Sequence, residues 1–121
     1  MTYQTLDIAA CTDLDKAREE ARFLLWATKK QGAFWEETAH RLLTGYLMAA
    51  ALDHRGDIAT LLRWAADPDD ARPLQLLRDA GAAQLARDCE QILTGTDPTR
   101  ANVVTVIQKA LRDATAQRDL R

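Results

Sequence analysis

The sequence predicts an all-α fold, a single bundle of about six helices around a buried central helix. Apolar residues recur at steps of three and four along most of the chain, which is the period of an amphipathic helix. Asp, Gly and Pro interrupt these stripes where helices would begin and end. Residues 46–52 are seven consecutive apolar residues, which would cover the whole circumference of a helix and need neighbours on every side.

The first helix is predicted to begin after Asp13, a residue suited to an N-cap, and to end at Gly32. Residues 1–12 before it are expected to be irregular, with room for one extended segment. The residues that form its apolar stripe are Leu14, Ala17, Ala21, Leu24, Leu25 and Thr28.

The second helix is predicted over residues 33–53, ending at Arg55-Gly56, where glycine can adopt a left-handed conformation. It is the central helix. The side chains expected to point into the core are Trp35, Leu42, Tyr46 and Ala50.

Asp57 is predicted to cap a short third helix, whose apolar stripe is Ile58, Leu61, Leu62 and Ala65. Residues 67–70 form a turn in which Asp67 acts as an N-cap and Pro68 occupies a first-turn position. Pro73 would interrupt a longer helix, so a fourth helix is expected to begin there and end at Gly81.

The fifth helix is predicted over residues 82–94, and the sixth begins at Asp97-Pro98. Residues 117–121 are polar and expected to be irregular. Because the predicted connections are short, residues 1–121 form one domain. The residues expected to face the core are Leu85, Cys89, Ile92 and Leu93 on the fifth helix, and Val103, Ile107, Ala110, Leu111 and Ala114 on the sixth.

Composition excludes several classes of protein. The net charge of −2 argues against a sequence-blind grip on nucleic acid, since such modules are strongly basic. No apolar run approaches the roughly 18 residues of a membrane helix, and the N-terminus does not resemble a signal peptide. Cys11 and Cys89 are expected to be reduced thiols, with Cys89 a small core residue.

Motifs for catalysis or cofactor binding are not found. The chain has no serine, and residues 95–100 have glycine and threonine but not the lysine of a phosphate loop. Glu37 and His40 match the Glu-x-x-His step of di-iron bundles, but the second copy and further core carboxylates that such a site needs are not present. We therefore expect no metal, no cofactor and no enzymatic activity from this chain alone.

Three groups of residues are candidates for an interaction surface. The first, which we call the aromatic patch, is Phe23, Trp26 and Lys30, an aromatic pair beside a cation on the side of the first helix away from its apolar stripe. The alternative for this patch is a helix packed on two sides by its own domain.

The second candidate is Trp64 with Arg63, although a large aromatic at the edge of an apolar stripe often simply covers the rim of the core. The third is a polar strip on the last helix that could contact phosphates or an acidic cargo tail. Its residues are Asn102, Thr105, Lys109 and Arg112, with Lys109 and Arg112 the candidate phosphate contacts. A solvated helix face is the alternative for that strip.

Most of the sequence resembles a known family. Phe34-Trp35-Glu36, Ala39 and Leu42-Leu43, followed by an Ala-rich run to Asp53, resemble the all-alpha domain of type IV secretion coupling proteins, the conjugative DNA-transfer ATPases, in their actinobacterial form. The resemblance extends from about residue 7 to about residue 114 and depends on the order of elements.

The resemblance implies a domain inserted in a RecA-like ATPase that is membrane-anchored and hexameric. Its all-alpha domains face the cytoplasm and receive a relaxase–DNA complex or effector proteins. The nucleotide-binding residues and the membrane anchor would lie in other parts of such a protein, which fits an excised domain that begins with an added Met1 and makes no direct membrane contact. Because the net charge is negative, protein cargo is favoured over direct contact with DNA.

Three alternatives remain open from the sequence. A DNA-binding helical domain would show a basic face once folded. A free-standing helical adaptor would bind another protein outside any secretion system. An enzyme using Glu37 and His40 would require a metal.

Overall fold

The computed structural model describes residues 8–26, 33–53, 57–95 and 97–119, and within this part of the chain all regular structure is helical. A short 3-10 helix, Ile8–Thr12, precedes six α-helices. They are α1 (Leu14–Trp26), α2 (Ala33–Leu52), α3 (Ile58–Ala66), α4 (Arg72–Asp79), α5 (Ala83–Leu93) and α6 (Asp97–Asp119). The predicted all-α bundle is confirmed.

Helix α2 is the centre of the bundle. It contacts the 3-10 helix and each of the five other α-helices. Leu42, Tyr46 and Ala50 are buried as predicted, at 0%, 2% and 0% exposure. The side chain of Trp35 lies outside the described residues. The central position of this helix follows from its length and its apolar content, because a helix hydrophobic on most sides must be covered on most sides.

The C-terminal half of α2 is not covered on every side, which corrects the expectation for residues 46–52. Tyr46, Leu47, Ala49 and Ala50 are buried, whereas the other three residues of the run are half-buried. Those three are Met48, Ala51 and Leu52. They are spaced three and four residues apart and so share one face of the helix, which packs only partly against the core.

Two helix ends are set by the residues that the sequence indicated. Asp57 is extended, and its Oδ1 accepts hydrogen bonds from the Thr60 backbone N–H and the Thr60 hydroxyl, both at 2.9 Å. At the end of α4, Gly81 has a φ of +85°, which places it in the left-handed region. The Gly81 N–H donates to the Arg78 carbonyl and the Ala82 N–H to the Leu77 carbonyl, the two bonds of a Schellman motif.

Three boundaries differ from the sequence prediction. Ile8–Thr12 is a 3-10 helix with Ile8 and Cys11 buried, not an irregular or extended segment. Asp67 is the C-cap of α3, donating its N–H to the Arg63 and Trp64 carbonyls, and Asp70 instead accepts from the Arg72 N–H at the start of α4. Helix α6 continues to Asp119, through part of the predicted irregular end.

The remaining helices pack their predicted stripes inward. Cys89 and Leu93 of α5 are buried, and Leu85 and Ile92 are half-buried against the core. On α6 the predicted inward residues whose side chains are described are buried, and so is Val106, which the sequence did not predict. Those confirmed on α6 are Val103, Ile107, Ala110 and Leu111, whereas the side chain of Ala114 lies outside the described residues. Within the described ranges, no helix is long and apolar enough to cross a membrane.

Candidate functional site

The three predicted surface groups have different outcomes in the folded chain. In the aromatic patch, Phe23 is half-buried on α1, a helix that packs against the 3-10 helix, α2 and α6. Neither the side chain of Trp26 nor any part of Lys30 belongs to the described residues. The patch therefore has one described member, an aromatic ring that is partly open to solvent.

Trp64 is a core residue. It is 1% exposed, and its ring lies 6.1 Å from that of Tyr46 between centroids, tilted by 51°. This burial corrects the prediction of Trp64 as a surface anchor, since a partner cannot reach the indole without opening the bundle. Arg63 remains exposed in the last turn of α3, where a cation interacts favourably with the helix dipole.

The polar strip on α6 is only partly exposed. Asn102, Thr105 and Arg112 are exposed, whereas Lys109 is half-buried and has an interaction partner. Nearby on the same helix, Gln108 Nε2 donates to the Ala65 carbonyl at 2.9 Å and so joins α6 to α3. This face of α6 thus takes part in helix packing as well as facing solvent.

Several cations elsewhere on the surface of the described residues are paired with acids. Arg72 joins Asp53 at 3.3 Å, and Arg78 joins Glu90 at 3.2 Å, each pair linking two parts of the bundle. On α1, Lys16 lies 4.0 Å from Glu19. Mixed signs at short range weaken the field that would attract a phosphate backbone.

A groove with a volume of about 210 Å³ lies between α1, α2 and α5. We call it the polar groove. Helix α1 contributes Arg18 and helix α2 a stripe at positions 37, 40, 41 and 44, a spacing that keeps four side chains on one face. The residues that line it are Arg18, Glu37, His40, Arg41, Thr44, Leu85 and Asp88.

His40 joins two walls of the polar groove. Its Nε2 lies 2.9 Å from the Arg18 carbonyl oxygen, so the ring donates across from α2 to α1. Glu37 pairs instead with Arg41 at 3.4 Å. The Glu-x-x-His step therefore serves two separate contacts here, and among the described residues no group of three or more His, Cys, Asp or Glu converges as a metal site would require.

Helix α5 contributes a second carboxylate to the polar groove, that of Asp88. This residue is half-buried, and its Oδ1 accepts from Gln84 Nε2 at 2.9 Å. Within the part of the chain that the structure describes, Asp88 forms no ion pair. Its charge also acts on the neighbouring thiol: burial, with a further contribution from Asp88, raises the pKa of Cys89 to about 12.

Gly45 explains how α2 and α5 come so close beneath the polar groove. A Cβ added at Gly45 would overlap Cys89 Sγ and would lie 3.5 Å from Leu77 Cδ1. Cys89 Sγ also lies 3.9 Å from the Arg41 carbonyl oxygen. The sequence marked Cys89 as a core residue but not its contact with Gly45; a glycine within a helical stripe was the available signal.

Comparison of the chain with protein-family models, with curated proteins and with solved structures finds no match.

Proposed function

We propose that this chain is the substrate-receiving domain of a type IV coupling protein, located on the cytoplasmic side of a membrane-anchored, hexameric parent ATPase and not catalytic by itself. The observation that supports this best is the central position of α2. The helix that carries Phe34-Trp35-Glu36 and Leu42-Leu43 is the one against which every other helix packs. The residues of the resemblance thus belong to the element that organises the fold.

Surface charge favours protein cargo over DNA as the partner. The net charge is −2, and several exposed arginines already lie within 4 Å of carboxylates. A relaxase or effector would be captured through apolar contact with Phe23 and its neighbours in the aromatic patch. Nonspecific duplex DNA would bind weakly and with a steep salt dependence.

A titration with cargo and with DNA tests this function. We expect a relaxase or effector from the same transfer element to bind at near-physiological salt, and Phe23→Ala or Trp26→Ala to weaken binding by about 2 kcal/mol, the size typical of an aromatic anchor. Leu76→Ala, which removes a half-buried apolar side chain from α4, is the matched control and should leave binding unchanged.

Three outcomes would overturn the proposed function. The first is no cargo binding at all, and the second is cargo binding that responds equally to Phe23→Ala and Leu76→Ala. The third is submicromolar DNA binding that survives Trp26→Ala and disappears in a Lys109→Glu, Arg112→Glu double variant, which would favour a DNA-binding domain.

A further inference from the structure

We propose that the polar groove binds a small zwitterion of the α-amino-acid class, with the ligand carboxylate between Arg18 and Arg41 and its ammonium group at Asp88. This site is independent of cargo binding. The polar groove measures about 210 Å³, below the roughly 300–1,000 Å³ of pockets for drug-sized ligands, so its ligand must be small.

The charges of the polar groove match a dipolar ligand. Arg18 and Arg41 supply two positive charges, and Glu37 and Asp88 supply two negative charges, so the lining is neutral in sum. Glu37 is paired with Arg41 on α2, whereas Asp88 lies on a different helix, α5. A simple anion would meet the carboxylates and a simple cation the guanidinium groups. A zwitterion can satisfy both signs at once.

The guanidinium groups of Arg18 and Arg41 can give up their present ion pairs for a ligand carboxylate. Arg41 pairs with Glu37 at 3.4 Å and Arg18 with Asp15 at 3.6 Å, and the four side chains are 55–88% exposed. Exposed pairs of this kind contribute little net stability, so a ligand carboxylate that accepts from both guanidinium groups can replace them at small cost.

Asp88 supplies the other half of the recognition. It is half-buried, receives a neutral amide donor from Gln84 and forms no ion pair among the described residues. An ammonium group would give this carboxylate a charged partner. Leu85, one turn before Asp88 on α5, provides an apolar wall for the side chain of the ligand.

The test uses L-leucine as the probe, followed by amide chemical shifts of the whole chain during titration. We expect saturable shifts at Arg41, Thr44, Leu85 and Asp88 in the millimolar range. Leucinamide, which lacks the carboxylate, and N-acetyl-leucine, which lacks the ammonium group, should each bind about tenfold more weakly or worse, because each loses a charge-assisted interaction.

Matched variants identify the residues. Arg41→Gln and Asp88→Asn should each weaken L-leucine binding about tenfold or more. Arg87→Gln is the control for the first, since Arg87 is exposed on α5 outside the polar groove. Asp79→Asn is the control for the second, because Asp79 accepts from Gln75 at 2.8 Å in the same i, i+4 arrangement as Asp88 and Gln84.

Equal binding of L-leucine and leucinamide, equal effects in the variants and their controls, or no saturable shift at these four residues would overturn the zwitterion site. The ligand series needs only the wild-type chain, so the result does not depend on the folding of any variant.

Discussion

Gly45 and Cys89 form a contact in which the size of one residue fixes the size of the other. In Gly45→Ala the new Cβ would overlap Cys89 Sγ, and α2 and α5 would have to separate. Overpacking of this kind costs about 1–3 kcal/mol, whereas alanine gains about 1 kcal/mol over glycine in a helix interior. We expect a net loss of about 1 kcal/mol in the free energy of unfolding, measured by urea denaturation.

The double variant Gly45→Ala, Cys89→Ala is the control for this contact. Removing the sulfur makes room for the added Cβ. The loss in the free energy of unfolding of the double variant should therefore be about 1 kcal/mol smaller than the sum of the losses in the two single variants. Strict additivity would show that the two residues do not press on each other.

The buried thiol of Cys89 makes the free energy of unfolding depend on pH in the alkaline range. Burial raises the pKa of Cys89 from the ordinary 9.0 to about 12, so between these values the unfolded chain loses the thiol proton while the folded chain keeps it. The contribution of the protonated thiol to the free energy of unfolding is fully present below pH 9 and is lost as the pH rises towards 12. The free energy of unfolding falls by at most about 1.4 kcal/mol per pH unit from this cause. Urea unfolding as a function of pH should show a shallower decline in Cys89→Ala; identical slopes would contradict it.

At the scale of the element, the cap of α3 depends on one carboxylate. The Asp57 carboxylate accepts hydrogen bonds from the Thr60 backbone N–H and from the Thr60 hydroxyl. These bonds, the backbone one most, lower the pKa of Asp57 below the ordinary 3.8. The stabilisation is therefore present above 3.8 and is lost as the pH falls through the lower folded value. We expect Asp57→Ala to lower the melting temperature at neutral pH, with Asp57→Asn less harmful because asparagine also caps.

The acid limb provides the control for the cap. As the pH falls below 3.8, the difference in melting temperature between wild type and Asp57→Asn should shrink, since both then carry an uncharged cap. A difference that stays constant down to the lowest pH at which the fold persists would mean that the charge of Asp57 has no part in the cap.

Local signals predicted the elements well and failed where tertiary contacts decide. The partners of Asp57 and Gly81 lie only a few residues away in the chain, so the roles of both residues can be predicted from the sequence. Asp67 has the same side chain as Asp57 but directly follows α3. Its backbone N–H therefore caps the C-terminus of α3, and its carboxylate does not act as the N-cap of α4. Ile8–Thr12 forms a 3-10 helix because it packs against α1 and α2, contacts that no local pattern predicts.

At the scale of the whole molecule, periodicity indicates which face of a helix is apolar but not which helix it meets. The burial of Trp64 against Tyr46 joins α3 to the central helix, and no local pattern distinguishes that position from a rim. The polar groove was missed for the same reason: Arg18, Arg41 and Asp88 are far apart in sequence and meet only because three helices converge.

The dependence of the whole fold on α2 yields a direct prediction. Leu42 is 0% exposed on the helix that contacts every other element, so Leu42→Ala leaves a cavity at the centre of the bundle and should cost about 2–5 kcal/mol. Gln91→Ala, an exposed change on α5, should stay within about 0.5 kcal/mol. Because each helix packs on α2, the loss in Leu42→Ala should appear as one cooperative transition at lower urea concentration, seen equally by circular dichroism and by tryptophan fluorescence. A loss below about 0.5 kcal/mol, or two separated transitions, would mean that the bundle does not depend on α2 as a common core.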